Sequence, residues 1–118
     1  AYMWGNNQWG RLGLGPDFTD SSVSTPMLCT SLQDAFVSDV AIGSSHGLAL
    51  ATPNGSKETI DGKQVAHAFS WGLGREAQLG LGDYVNTDVP TMVELEGGHG
   101  LAVAAGAHHS LVLAQMLN

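Results

Sequence analysis

Several short motifs carry residue types that do chemistry in other proteins. Gly72-Leu73-Gly74-Arg75-Glu76-Ala77 fits the G-x-G-x-x-A pattern, in which glycines let the backbone approach a pyrophosphate. That chemistry needs a helix directly after the loop, with its N-terminus on the phosphates. The residues that follow, "QLGLGDYVNTDVP", hold two glycines and a proline and predict no helix. Gly43-Ser44-Ser45-His46-Gly47 fits the G-x-S-x-G nucleophile elbow, which requires strand, strained turn and helix. Here "FVSDVAIG" and "HGLALAT" read as strands on both sides. His99, His108 and His109 are of metal-ligand type, but no cysteine joins them and neighbouring strand residues face opposite ways. Asn54-Gly55-Ser56 is a glycosylation sequon and equally a turn. These patterns predict no catalytic residue, no cofactor and no metal.

The same glycine-rich stretches gain another meaning when laid over one another. "WGNNQWGRLGLG" from Trp4 aligns without a gap on "WGLGREAQLGLG" from Trp71, an offset of 67 residues. "STPML" from Ser24 pairs with "DVPTM" from Asp88 through Pro26 and Pro90. "VAIGSSHGLALA" from Val40 lies over "VAAGAHHSLVLA" from Val103, so Gly43 meets Gly106 and His46 meets His109. Three signatures recur in order, as in a repeat array or propeller. The G-x-S-x-G serine has no counterpart in the second copy, which reads Gly106-Ala107-His108-His109-Ser110. A histidine present in each copy is expected to be structural, a neutral imidazole at a strand start that satisfies backbone groups of the adjacent turn.

Composition agrees with strands and tight turns. Of 118 residues 16 are glycine, about twice the ordinary share of ~7%. Apolar runs are too short to span a membrane. The start has neither the basic region nor the long apolar core of a signal peptide. Cys29 stands alone, so no disulfide framework exists and a reducing, intracellular compartment is expected. Net charge is −7 with only four basic residues, Arg11, Lys57, Lys63 and Arg75. Nucleic acid and anionic membrane surfaces are bound through Lys and Arg, so neither is an expected partner.

One period reads as four short strands: an apolar hairpin, a strand ending in Trp-Gly, and one around the proline. Their weak alternation predicts strands covered on both faces. Residues 52–64 are polar and hold Asn54-Gly55 and Asp61-Gly62, which predicts an exposed hairpin tip. Residues 31–36 predict a helical turn with Ser31 near its N-cap. Repeat 1 spans about 1–51, the insertion 52–64, and repeat 2 about 65–118. Four-stranded units repeated radially give an all-β propeller of antiparallel blades.

These residues resemble the repeats of the regulator of chromosome condensation family, a seven-bladed propeller. The second copy keeps Gln78-Leu79-Gly80-Leu81-Gly82-Asp83 and Val103-Ala104-Ala105-Gly106 with His109 and Leu111. The chain departs from the family pattern at Ala77, which stands where the first copy has Gly10. Ile42 replaces a small residue, and Gly47 replaces a small hydroxyl residue after His46. The resemblance implies about one complete blade, residues 36–95, between two partial ones. A closed propeller needs at least ~4 blades, so a longer chain or a large partner is expected.

The structural residues implied by the repeat are Trp4, Gly5, Leu12, Gly13, Gly15, Gly43 and His46, with Trp71, Gly72, Leu79, Gly80, Gly82, Gly106 and His109 in the second copy. Trp4 and Trp71 are expected to pack between sheets. Trp9 has no aromatic counterpart, since Glu76 takes its place. Trp9 and Arg11, with Lys57 and Lys63 on the insertion, are the candidate partner contacts. The resemblance implies a non-enzymatic scaffold for protein partners. Its alternatives are guanine-nucleotide exchange on a Ran-like GTPase, as in the founding member, or a regulatory propeller of a ubiquitin ligase or kinase. The light-sensing branch of the family carries Gly-Trp-Arg-His-Thr, which is absent here.

Overall fold

The structure, a computed structural model, describes residues 1–116. It is all-β, as expected. Strands β3 (Ala35–Ile42), β4 (His46–Pro53), β7 (His67–Gly72) and β8 (Thr87–Val93) form one four-stranded antiparallel blade in chain order. On one side lies the pair β1 (Tyr2–Asn6) and β2 (Ser22–Leu28); on the other, the pair β9 (His99–Ala105) and β10 (Ser110–Gln115). A small hairpin, β5 (Thr59–Ile60) and β6 (Lys63–Gln64), is inserted after β4.

The repeat extends to register and irregularity. Met3 opposes Met27 and Gly5 opposes Val23; one repeat later Ser70 opposes Thr91 and Gly72 opposes Thr87. Both pairs slip at the same step, just before the Trp-Gly glycine. Pro26 and Pro90 lie in the outer strand within these slips, where a residue without an N–H can be accommodated. The inner pairs match as well: the slip between Val37 and Asp39 on β3 recurs where Gly100 and Ala102 oppose Ala114 and Leu113.

Strand β4 explains why its sequence does not alternate. Ala49 and Ala51 face a core with Cys29, Leu32 and Trp71, backed by Met3 and Val37. Leu48 and Leu50 face a second core with Ala68 and Val103, backed by Val93 and Val112. Each face of the blade is therefore closed by a neighbouring repeat, and burying both faces favours a continuous apolar run. Strands β3 and β10 behave otherwise and alternate between partly buried and exposed positions, because they are covered on one side only.

Trp71 is the largest fully buried side chain. Its ring lies against Gly13 and Gly47, and its Nε1–H donates to the Arg11 carbonyl at 3.0 Å. A Cβ on Gly47 would stand 2.5 Å from the ring, so no side chain fits there as the ring sits. Gly13 is held at φ +65 and its repeat mate Gly80 at φ +67, the left-handed region that favours glycine. Gly13 thus serves both the turn and the tryptophan socket, and Gly80 the turn.

Two expectations change. The turn near residue 31 is a 3₁₀ turn, Thr30–Leu32, with Cys29 at the N-cap position but no side-chain cap, and Ala35 and Phe36 already belong to β3. Strand pairing of Ala35 with Pro53 and Phe36 with Thr52 overrides the local helical preference. The insertion is not a freely exposed tip. Ile60 and Val65 are buried, and Gln115 Nε2 donates to Asp61 Oδ2 at 3.0 Å. The backbone of Ala66 is also tied to the next repeat: its N–H donates to His99 Nδ1 and its carbonyl accepts from Gly100, each at 2.9 Å.

Candidate functional site: the strand-end rims

Antiparallel order sends the loops to two opposite rims. Residues 7–21, 43–45, 73–86 and 106–109 gather at one end of the strands. Residues 29–34, 54–66 and 94–98 gather at the other. The candidate contacts are divided accordingly. Trp9 and Arg11 stand on the first rim, Lys57 and Lys63 on the second, so they do not form one surface.

The first rim is well braced. Asn7 Nδ2 donates to the carbonyls of Phe18 and Asp20 at 3.3 Å. Asn86 Oδ1 accepts from Gly74 N–H at 2.9 Å, and Asp83 Oδ1 from Val85 N–H at 3.1 Å. Gly15 N–H donates to the Asp88 carbonyl at 2.9 Å, which joins the loop of the first repeat to the start of β8 in the second. On this frame Trp9 is 43% exposed, and Tyr84 and Val85 are more exposed still. Sequence reading missed Tyr84 and Val85; the signal available was a pair of large apolar residues inside a polar loop.

The motifs of chemical type lie at strand ends and turns. His46 Nε2 lies 2.9 Å from Ser110 Oγ, a separation at which a histidine can activate a serine. Ser110 Oγ, however, donates its only proton to the Gln78 carbonyl at 2.6 Å. The imidazole must then donate from Nε2, so the serine is not deprotonated by it. Burial holds the His46 pKa below the usual histidine value, and the facing His109 carbonyl partly offsets this. His46 is a buried side chain at the start of β4, and its side-chain partner belongs to the next repeat and not to the adjacent turn. Gly43 and Gly106 lie under the rings of His46 and His109, where a Cβ would collide.

Gly72 closes β7 with the Ser45 carbonyl 2.4 Å from its notional Cβ, so the space it opens is already filled by the β3–β4 corner. No helix follows it among the described residues. Strands β3 and β4 flank the G-x-S-x-G segment on both sides. Among the described residues no three His, Cys, Asp or Glu side chains converge to hold a metal ion. Burial pushes the Cys29 thiol up, away from thiolate chemistry. No helix among the described residues is long and apolar enough to cross a membrane.

Trp4 departs from its expected packing. It is 60% exposed whereas Trp71 is 1% exposed. The groups that cover Trp71 come from the repeat before it, and no repeat precedes Trp4 among the described residues.

Comparison with known proteins agrees with this geometry. The family model for the regulator of chromosome condensation (RCC1) repeat matches residues 1–50 and 67–113. The chain is 34% identical over 116 residues to the ultraviolet-B receptor UVR8 of Arabidopsis thaliana, covering 98% of this chain and 23% of UVR8. It is 34% identical over 116 residues to the human E3 ubiquitin-protein ligase HERC2, covering 98% of this chain and 2% of HERC2. The crystal structure of human WBSCR16 matches with a TM-score of 0.70 at 25% identity, over 97% of this chain and 31% of that one. The chain therefore spans less than a quarter of these curated relatives. With the family model matching residues 1–50 and 67–113, and with strand pairing, bulges and glycine turns duplicated in register, the chain belongs to the regulator of chromosome condensation repeat family.

Proposed function

We propose that the chain is a non-enzymatic interaction scaffold that receives a basic protein surface on the rim built by residues 7–21 and 73–86. The observation that carries this reading is the exposure of Trp9, Tyr84 and Val85 on that one rim, on loops fixed by their own hydrogen bonds. Tryptophan and tyrosine are the side chains that most often dominate protein interfaces. The same loops carry Asp17, Asp20, Glu76 and Asp83 against Arg11 and Arg75, which favours a partner of opposite sign. Net charge −7 supports a protein partner over nucleic acid. The buried, lone Cys29 supports a reducing intracellular compartment. A receptor and a ubiquitin ligase share this repeat, which supports placing function in loops and not in the blade.

The test is proximity labelling with the wild-type protein, followed by titration of each recovered protein against wild type and the Trp9→Ala/Tyr84→Ala variant. The expected result is a loss of affinity of about tenfold or more, at unchanged thermal melting. Equal affinity of all recovered partners for both chains overturns the rim assignment. Lys57→Glu/Lys63→Glu serves as the opposite-rim control and leaves binding unchanged. If a recovered GTPase releases nucleotide faster on binding, exchange replaces the passive scaffold.

A further inference from the structure

The insertion meets the second repeat through one residue. Ala66, between β6 and β7, commits both of its backbone groups to β9. Its N–H donates to His99 Nδ1 and its carbonyl accepts from the Gly100 N–H, each at 2.9 Å. Ala66 is 3% exposed, so water is no ready substitute for either partner. The accepting role fixes the state of the ring: His99 is neutral there, with its proton on Nε2. At the next residue, His67 Nε2 lies 3.3 Å from Glu58 Oε2, on the first arm of the inserted hairpin. That contact is an ion pair only when the imidazole carries a proton. A proton therefore acts on these two contacts in opposite senses. On His99 it places a donor against the Ala66 N–H and breaks the tie to the second repeat. On His67 it strengthens the hold of β7 on the insertion.

We propose that the Ala66–His99 contact is a pH-sensitive joint between the two repeats, closed when His99 is neutral and opened when it takes up a proton, with His67 and Glu58 holding the insertion to its own blade in the open state. Histidine is the side chain whose charge ordinarily changes between about pH 5 and 8, so the joint works in that range. The insertion lies between the two segments that match the repeat, so the joint is a device of this chain and not of the repeat.

The charges around the joint leave this balance to the two histidines. The insertion brings Lys57, Glu58, Asp61 and Lys63. The neighbouring turns of the same rim bring Asp34, Glu94 and Glu96. Strands β7, β9 and β10 bring no charged side chain besides His67 and His99. Among the described residues, Glu58 beside His67 is the one carboxylate within ion-pair distance of a histidine, so none offsets a proton on His99. The bond from Gln115 to Asp61 involves no histidine, and the buried Ile60 and Val65 do not titrate. The insertion therefore stays on its blade while the joint opens. This inference concerns the second rim and is independent of the partner surface on the first.

The test is hydrogen exchange of the protein at pH 7.5 and pH 5, read by mass spectrometry with fragmentation to single residues. Each rate is divided by the unstructured rate at the same pH. Protection at the Ala66 and Gly100 amides should fall about fivefold or more on acidification, beyond any change in the β4–β7 amides. Protection at Val65, whose N–H donates to the Glu58 carbonyl at 3.0 Å, should rise. His99→Gln keeps an acceptor for Ala66 but does not titrate, so its Ala66 protection should be the same at both values. His67→Gln should abolish the rise at Val65. Ala66 and Gly100 protection that does not change, or that falls only as far as in β4 and β7, overturns the proposal. So does an equal fall in His99→Gln. Imidazole nitrogen shifts of the wild type add a readout free of mutation: a His99 proton on Nδ1 at pH 7.5 also overturns it.

Discussion

His46 in the first repeat and Ser110 in the second are joined by a hydrogen bond of 2.9 Å across 64 residues of sequence, and its direction is fixed. The serine proton is committed to the Gln78 carbonyl, so the imidazole donates. The histidine is 1% exposed, and its other ring nitrogen, Nδ1, has no partner. A motif histidine thus acts as a pin between blades, held neutral by burial.

This neutrality predicts a pH dependence with a definite sign. The folded-state pKa of His46 lies below the usual value near 6.5, so the unfolded chain takes up the proton first as pH falls. The contribution to stability is therefore complete above about pH 6.5 and is lost as pH falls through the lower folded-state value. Urea midpoints should fall between about pH 7.5 and pH 5 in the wild type. They should fall less in His46→Gln, whose amide can still donate to Ser110 but does not titrate. Equal slopes for the two proteins would remove His46 as the source.

Gly47 is the position where the chain departs from its own repeat, since Ser110 holds the matching place. The departure has a steric reason: a Cβ at Gly47 would lie 2.5 Å from the Trp71 ring. Gly47→Ser should displace that ring and cost roughly 1–3 kcal/mol, the usual range for overpacking a filled core. The measurement is a urea melt together with tryptophan emission, which should shift to the red as Trp71 gains water. An unchanged melt would mean that the ring can move without cost.

Much of this was legible in the chain because the repeat prints its constraints twice. Trp71 with Gly72, and Leu79 with Gly80, appear in register with Trp4, Gly5, Leu12 and Gly13, and a duplicated glycine with positive φ excludes most accidental explanations. What escaped was contact between repeats. Nothing local to His46 names Ser110, and nothing local to Ile60 says that an apolar residue in a polar hairpin is its anchor. Trp4 shows the same limit from the other side: its sequence context resembles that of Trp71, but among the described residues it has no counterpart of the Gly13, Gly47 and Arg11 groups that cover Trp71.

Ala77 is a second departure with a measurable consequence. It sits at φ +59, in the left-handed region, where its repeat mate is Gly10 at φ +72. An L-residue there costs roughly 1–2 kcal/mol relative to glycine. Glycine gives back about 0.4–1 kcal/mol through its freer unfolded chain. The strain outweighs that entropy, so Ala77→Gly should stabilise the fold by about 0.5 kcal/mol. The side chain is exposed, so no packing is lost. A lower urea midpoint for Ala77→Gly would show that the local backbone tolerates alanine without strain.

The inserted hairpin carries the last prediction. Its two-residue strands turn through Asp61 and Gly62, both at positive φ, as a tight two-residue hairpin turn requires. So short a pair is marginal alone, and Ile60, buried at 5% exposure, is what docks it. The polar ties from Gln115 to Asp61 and from Gln64 to the Ser56 carbonyl are exposed and contribute less. Ile60→Asp should therefore release the hairpin without unfolding the blade, whose strands β4 and β7 pair independently of it. Limited trypsin digestion reads this directly, because Lys57 and Lys63 flank Ile60 and both are exposed. Cleavage after these two lysines should accelerate several-fold in the variant while the main thermal transition stays close to wild type. Loss of the main transition instead would make the insertion an integral part of the blade.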